Sequence, residues 1–168
     1  MIRSFNGKTP RIAKSAFVSE VAYVIGDVEI GKNSSVWPGA VIRGDSTSIK
    51  IGGNTTIQDN CVLHADVPME IGDNVLIGHG AVVHGTKIGS NTLIGNNATL
   101  LDDTQIGSFC LIAAGCLVSQ GMEIPNSSFV VGVPAKIKGQ VSQERRLQLL
   151  KGLQTYVELL KRYKAQGL

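Results

Sequence analysis

Several residue types are scarce in this 168-residue sequence, and each scarcity excludes a class of protein. Aromatic residues make up only 5% of the chain, although 43% of its residues are hydrophobic. The core must therefore be built from aliphatic side chains, as in repeat proteins. Three cysteines without C-x-x-C spacing indicate neither a disulfide framework nor a cysteine zinc site. We interpret Cys61, Cys110 and Cys116 as small buried hydrophobic residues.

Long hydrophobic runs and a basic surface are also lacking. No hydrophobic run reaches the roughly 18 residues that a membrane span requires. The first residues, MIRSFNGKTPRI, lack the apolar segment of a signal peptide. Basic residues exceed acidic ones by four in residues 142–168, but acidic residues exceed basic ones by one in the remainder. We therefore expect a cytoplasmic protein that binds neither membranes nor nucleic acid.

The sequence is rich in a repeat of six residues. The tetrapeptide I-G-x-N occurs five times, beginning at residues 30, 51, 71, 88 and 94. Aliphatic residues recur at every sixth position in two long runs, from Ile12 to Ile42 and from Val82 to Val130. Six is a multiple of the two-residue period of a strand and does not fit the 3.6-residue period of a helix.

This repeat predicts an all-β fold, a β-helix of residues 1–140 in which short strands stack about 4.8 Å apart. Three hexapeptides per turn would form a triangular prism of roughly six to seven turns. The Asn of each tetrapeptide suits a corner, because Asn tolerates left-handed backbone conformations. An ordinary β-sandwich would not keep the period through nine consecutive positions.

The last segment, residues 141–168, is predicted to be a C-terminal α-helix. Ser142 is suited to be its N-cap, and Glu144 in the first turn suits the helix dipole. One apolar stripe should pack against a prism face or a neighbouring subunit. The stripe consists of Leu147, Leu150, Leu153, Val157 and Leu160.

The chain contains only three histidines, His64, His79 and His84, and all lie at or beside breaks in the six-residue period. Functional sites are expected where regularity is broken. A single histidine would be an ordinary surface residue, but three together can form a catalytic metal site. The breaks fall between Ile42 and Ile51, between Leu63 and Ile71, and between Ile77 and Val82.

Three neutral imidazoles can hold Zn²⁺ and leave a fourth position for water, whose pKa the ion lowers to about 7. His64 and His84 are twenty residues apart, which places them on adjacent turns of one face. His79 precedes His84 by five residues, which span up to about 16 Å when extended, so it should reach another face or corner. A shared metal then needs His79 from another copy, and a three-sided prism predicts a cyclic trimer.

The stretch VIRGDSTSIKIGGNTTIQDNCVLH, followed by IGHGAVVHG, resembles the γ-class carbonic anhydrases. The resemblance runs from about residue 10 to residue 165 and includes the motifs R-G-D, I-Q-D-N-x-x-x-H and I-G-H-x-x-x-x-H-G. It implies a left-handed β-helix and a homotrimer. It also implies one divalent metal per subunit interface, zinc first with iron or cobalt as alternatives, and the reversible hydration of CO2 to bicarbonate.

The resemblance implies roles for individual residues. His64, His79 and His84 match the metal ligands, with His79 supplied by the adjacent subunit. Gln58 matches the side chain that orients the metal-bound hydroxide. Asp45 matches a supporting carboxylate near the site. A neutral amide can orient hydroxide without competing for the metal.

One further pair of residues matches the family, whereas the positions that carry proton-transfer groups differ from it. Arg43 and Asp59 match an ion pair that helps to hold the trimer together. The glutamate that follows R-G-D in active members is Ser46 here, and the short loop ADVPME replaces the one that carries their shuttle glutamate. Only Asp66 and Glu70 remain there as possible proton-transfer groups. Since every turnover must export a proton, we expect weak CO2 hydration.

Two other functions stay open on the sequence. The segment VVGVPAKIK at residues 130–138 resembles part of the hexapeptide acyltransferases, which use acyl-coenzyme A and one histidine base. That chemistry gives no reason for three histidines. A non-catalytic metal-binding or scaffold protein is the second alternative, because the shuttle glutamates are missing.

Overall fold

The hexapeptides fold into short strands separated by corners, in a computed structural model that describes residues 1–85 and 87–168. Each strand pairs in parallel with the strands one turn before and after it, apart from an antiparallel strand at the end. In chain order the strands are β1 (Ile2–Arg3), β2 (Arg11–Ile12), β3 (Phe17–Val18), β4 (Tyr23–Ile30), β5 (Ser35–Val36), β6 (Val41–Ile51), β7 (Thr56–Ile57), β8 (Val62–His64), β9 (Met69–Ile71), β10 (Leu76–Ile77), β11 (Val82–His84), β12 (Lys87–Ile88), β13 (Leu93–Ile94), β14 (Thr99–Leu100), β15 (Gln105–Ile106), β16 (Leu111–Ile112), β17 (Leu117–Val118), β18 (Glu123–Ile124), β19 (Ser128–Val131) and β20 (Lys136–Gln140).

The strands form the three faces of a prism. The first face contains β1, β8, β11, β14, β17 and the first halves of β4 and β6. The second contains β2, β9, β12, β15, β18 and the second halves of β4 and β6. The third contains β3, β5, β7, β10, β13, β16 and β19, with β20 at its end. About seven turns result, which confirms the predicted left-handed β-helix.

The core consists of aliphatic rows, as the scarcity of aromatics predicts. On the third face Ile57, Ile77 and Ile94 stack in register and are 0% exposed. The three cysteines are free and buried, as expected. Five corner asparagines have φ between 51° and 58°, which confirms the role assigned to the I-G-x-N motif. They are Asn33, Asn54, Asn74, Asn91 and Asn97.

We expect Ile57→Ala to lower the free energy of unfolding by about 2–5 kcal/mol, because the stacked row cannot close around the cavity. Urea denaturation of the purified protein measures the change. The matched control is Gln105→Ala, at an exposed residue of β15. It should change the free energy of unfolding by no more than about 0.5 kcal/mol. Equal losses in the two variants would contradict the stacked-core description.

The sequence prediction of the core register is wrong at one strand. The six-residue run that begins at Val82 predicts that Val82 lies in the core, but it is 38% exposed, whereas Val83 is 0% exposed. Ile77 and Val83 are six residues apart, so no break separates them and His79 lies within a regular hexapeptide. The interval shorter than six residues lies instead between Val83 and Ile88, which are five residues apart. Because Val82 and Val83 are equally hydrophobic, the sequence pattern could not show which of them points into the core.

The C-terminal helix α1 spans Gln143–Ala165, and the Ser142 hydroxyl caps it by accepting a hydrogen bond from the Arg145 N–H at 3.3 Å. Arg145, near the start of the helix, lies over the ring of Phe129 on β19, at the C-terminal end of the prism. Tyr163, near the end of the helix, packs on Phe17 of β3, at the N-terminal end of the prism. The helix therefore runs back along the prism. Among the described residues, no helix is long and apolar enough to cross a membrane.

The predicted apolar stripe of α1 is partly wrong. Leu153 and Leu160 are buried, but Leu147 and Leu150 are 53% and 42% exposed. The buried side also includes Leu149, and two tyrosines complete it by packing on Trp37. The prediction counted only aliphatic residues, and leaving out Tyr156 and Tyr163 shifted part of the stripe away from the buried side of the helix.

Candidate metal centre

One corner of the prism, between the first and second faces, carries two of the three histidines; we call it the histidine corner. The chain departs from the six-residue step there on successive turns, after Arg43, after His64 and after His84. These three residues form one outward row, because Arg43 pairs in register with His64, and His64 with His84. The irregular turns thus gather their side chains at one place.

The imidazoles of His64 and His84 face each other in this row. His64 Nδ1 lies 3.0 Å from His84 Nε2. The other nitrogen of each ring contacts a carboxylate. His64 Nε2 lies 3.1 Å from Asp45 Oδ1, and His84 Nδ1 lies 2.6 Å from Asp102 Oδ1. The two histidine side chains are 16% and 30% exposed, so the pair is accessible from outside the chain.

The carboxylates determine which nitrogen of each neutral ring carries the proton. Asp45 and Asp102 accept N–H donors, so the two facing nitrogens present lone pairs to each other. Lone pairs 3.0 Å apart repel unless a proton or a metal ion lies between them. Two nitrogens on one tetrahedral Zn²⁺, each at about 2.1 Å, lie about 3.4 Å apart, which small ring rotations provide. The donor set therefore fits a divalent metal with carboxylate-oriented histidines.

Asp45 connects the histidine pair to Arg43. The Arg43 guanidinium forms an ion pair with Asp45 Oδ2, and Asp45 Oδ1 contacts His64. Burial by itself would raise the pKa of the Asp45 carboxyl, but a backbone hydrogen bond and Arg43 outweigh it and hold that pKa below its usual value. Asp45 therefore remains ionised near neutral pH and keeps the proton of His64 on Nε2.

The turn that carries Asp45 requires glycine on two neighbouring strands. Gly26 has φ +83°, and a Cβ there would lie 2.2 Å from the Gly44 oxygen. A Cβ on Gly44 would in turn lie 2.6 Å from the Asp27 oxygen. The glycine of the R-G-D motif thus permits the close approach of two backbones beside the site.

His79 lies at a different corner, between the third and first faces; we call it the His79 corner. Its Nδ1 lies 2.9 Å from Asp59 Oδ2, and its side chain is 49% exposed. Its backbone N–H donates to Gln58 Oε1 at 3.0 Å. Gln58 is 5% exposed, and its Nε2 donates to the Tyr156 hydroxyl. Gln58, Asp59 and His79 therefore form a second group, separate from His64 and His84.

A single chain does not bring all the predicted site residues together. Within residues 1–85 and 87–168, no group of three His, Cys, Asp or Glu side chains is placed to hold a metal. Arg43 pairs with Asp45, and Asp59 pairs with His79, so Arg43 and Asp59 do not pair within the chain. The histidine corner offers two ligands, and the His79 corner offers one.

The two candidate proton-transfer residues lie in different surroundings. Asp66 is exposed in the turn after β8, two residues beyond His64. Glu70 is on the second face, where its carboxylate lies 3.6 Å from Lys87 Nζ. The structure thus leaves Asp66 close in sequence to a metal-ligand candidate and places Glu70 in a surface ion pair.

The three faces differ in the polarity of the rows of side chains that point away from the core. Those of the second face are polar and exposed: Arg11, Glu29, Lys50, Glu70, Lys87, Gln105 and Glu123. The third face is packed against α1. The first face, between the two histidine-bearing corners, has mostly apolar outward residues: Tyr23, Val41, Val62, Val82, Thr99 and Leu117.

Sequence reasoning missed Asp102, which holds the outer nitrogen of His84. A signal for it existed, because residues 84 and 102 are eighteen apart, one full turn of three hexapeptides. Counting one turn onward from each histidine would have placed a carboxylate next to His84. Tyr156 was missed as a neighbour of Gln58 because the two are 98 residues apart, and no repeat relates them.

We expect Asp102→Asn to weaken metal binding about 10- to 100-fold, because the amide no longer fixes the proton of His84 on Nδ1. The affinity for Zn²⁺ is measured by competition with a chelator. Asp103→Asn is the matched control, since Asp103 is exposed and its φ of 58° suits Asn. Equal affinities of the two variants would show that Asp102 does not support the site.

Comparison with known proteins identifies the family. The chain is 45% identical over 150 residues to the Methanocaldococcus jannaschii protein named "Probable carbonic anhydrase", covering 88% of this chain and 94% of that protein. It is 38% identical to the "Carbonic anhydrase" of Geobacillus kaustophilus, covering 98% and 92%. The chain belongs to the γ-class carbonic anhydrase family. "Gamma carbonic anhydrase 2, mitochondrial" of Arabidopsis thaliana is 39% identical, and the match covers 90% of this chain but 58% of that protein.

The family shares its scaffold with proteins named as transferases. The family model described as "Bacterial transferase hexapeptide (six repeats)" matches residues 68–102 and 85–120. A hexapeptide transferase family protein from Anaplasma phagocytophilum superposes with a TM-score of 0.94 at 34% identity, covering 96% of this chain and 97% of that one. A candidate acetyltransferase from Bacillus cereus gives 0.95 at 36% identity, covering 98% and 97%.

Proposed function

We propose that the protein is a γ-class carbonic anhydrase that hydrates CO2 reversibly to bicarbonate at metal sites between the subunits of a homotrimer. The observation that carries the proposal is the His64–His84 pair, whose facing nitrogens lie 3.0 Å apart while carboxylates hold the outer ones. The names of the relatives from Methanocaldococcus and Geobacillus support this reaction.

His64 and His84 would hold the ion from one subunit, and His79 would complete the site from its neighbour. The ion, with zinc first and iron or cobalt as alternatives, would supply a Lewis acid that lowers the pKa of a water toward about 7. Asp45 and Asp102 keep the facing nitrogens free to bind, because they hold both ring protons on the outer side.

Gln58 would enter the site together with His79, because the two are hydrogen-bonded at one corner. Its amide can orient the reacting oxygen without competing for the metal. Asp66 would pass protons to solvent, since it is exposed and follows His64 by two residues. One short side chain in place of a shuttle glutamate agrees with a slow reaction.

The outward row of the first face supports the homotrimer. Val62 and Val82 are 37% and 38% exposed on this face, which lies between the histidine corner and the His79 corner. Contact between first faces would bury this row and bring the His79 corner of one subunit to the histidine corner of the next. Arg43 and Asp59 would then pair across the interface, since their side chains are 42% and 39% exposed.

Stopped-flow CO2 hydration of the Zn²⁺-loaded protein, with an apoprotein control, tests the activity. We expect a rate above the apoprotein but far below the roughly 10⁶ s⁻¹ of the fastest carbonic anhydrases. A metal-loaded protein no faster than its apoprotein would contradict CO2 hydration and favour the scaffold alternative.

Acyl transfer is the rival enzymatic function, favoured by the two solved structures that are named as transferases. Isothermal titration with acetyl-coenzyme A distinguishes it. We expect no saturable binding, because the grouping of three histidines has no use in a reaction that needs one base. Binding at micromolar concentrations would favour acyl transfer instead.

A further inference from the structure

The Gln58 amide is held at both ends. Its Oε1 accepts the backbone N–H of His79 at 3.0 Å, and its Nε2 donates to the Tyr156 hydroxyl of helix α1. Gln58 is 5% exposed, so water is poorly placed to substitute for either partner. A continuous hydrogen-bonded path therefore runs from the C-terminal helix to the backbone of a metal-ligand candidate.

Tyr156 is itself fixed by packing. Its ring meets Trp37 edge-on, with centroids 5.6 Å apart and planes at 69°. The Tyr156 hydroxyl oxygen accepts the Gln58 N–H, and burial raises the pKa of this hydroxyl. Leu160 and Phe17 extend the same aromatic and aliphatic cluster along the helix.

We infer that Tyr156 is a positioning residue for the metal site: it anchors Gln58 and, through Gln58, the backbone of His79. The effect on metal binding rests on the proposed function, in which His79 is the third metal ligand. Without an anchored Gln58, the His79 backbone would be less well positioned for that role. Helix α1 thus contributes to the site as well as to the stability of the prism.

Tyr156→Phe tests this inference, because it removes the hydroxyl and keeps the ring that packs on Trp37. The matched control is Tyr163→Phe. Tyr163 packs on the same Trp37 ring at 5.1 Å, and its hydroxyl makes no hydrogen bond within the described parts of the chain. Both variants should keep the circular dichroism and oligomeric state of the unmodified protein.

The first readout does not involve metal. Hydrogen exchange of the His79 amide in the metal-free protein should be about tenfold faster in Tyr156→Phe than in the unmodified protein or Tyr163→Phe. The second readout is affinity for Zn²⁺ by chelator competition, which should fall about tenfold in Tyr156→Phe alone. Unchanged exchange at His79 in Tyr156→Phe would overturn the inference.

A double-mutant cycle tests whether Tyr156 acts through Gln58. In a Gln58→Ala background, Tyr156→Phe should cause no further loss of Zn²⁺ affinity. An equal loss in both backgrounds would overturn the inference, since Tyr156 would then act by another route. If the unmodified protein binds no Zn²⁺, the proposed function fails, while the exchange rate of the His79 amide still decides the role of Tyr156.

Discussion

Replacing His64 by alanine is expected to remove the metal from the protein. His64 Nδ1 faces His84 Nε2 at 3.0 Å. Without His64 the proposed site would retain two imidazoles, one of them from the neighbouring subunit, which is fewer than the three ligands of a catalytic zinc site. Metal content measured by mass spectrometry should fall from about one ion per subunit to below about one tenth. CO2 hydration should fall to the level of the apoprotein.

The control for this variant is Thr99→Ala, on the same face and one turn beyond Val82. It should retain its metal, because Thr99 pairs with Val82 and not with a proposed ligand. His64→Ala should also keep its fold, since the side chain is outside the aliphatic core. Full metal content in His64→Ala would show that the ion binds elsewhere and would contradict the proposed site.

Replacing Val82 by arginine is expected to separate the subunits. Val82 lies in the middle of the apolar outward row of the first face and is 38% exposed in the single chain. A guanidinium buried there without a partner would cost several kcal/mol at each interface. Sedimentation should show a species near the 17.8 kDa of one chain, whereas the unmodified protein should sediment near three times that mass.

The matched control for Val82→Arg is Gln105→Arg, which adds the same charge on the exposed second face. That variant should remain trimeric and retain its metal. Val82→Arg should lose both properties together, because the proposed metal site takes its ligands from two subunits. A trimeric Val82→Arg protein with full metal content would place the subunit contact on a different surface.

The fold could be predicted from the sequence because a six-residue period fixes both the inward row and the corners. What the period could not decide was local. Val82 and Val83 are equally apolar, and only the structure shows that Val83 points inward. The helix stripe was misjudged because Tyr156 and Tyr163 bury their rings against Trp37, which an aliphatic count ignores.

The candidate site could be predicted in part for a similar reason. His64 and His84 are twenty residues apart, so the geometry of an eighteen-residue turn was enough to predict that they meet. The partners of Gln58 could not be found in this way. Tyr156 reaches Gln58 through a helix that follows no repeat, and its position depends on how the aromatic cluster packs.

The measurement that tests the shared site most directly mixes two inactive variants. His64→Ala keeps His79, and His79→Ala keeps the His64–His84 pair, so neither should bind metal alone. When equal amounts are unfolded and refolded together, random assembly gives each interface about a one in four chance of receiving all three histidines. Metal content should return to about one quarter of the unmodified level. No recovery, or full metal content in His79→Ala alone, would contradict a site built from two subunits.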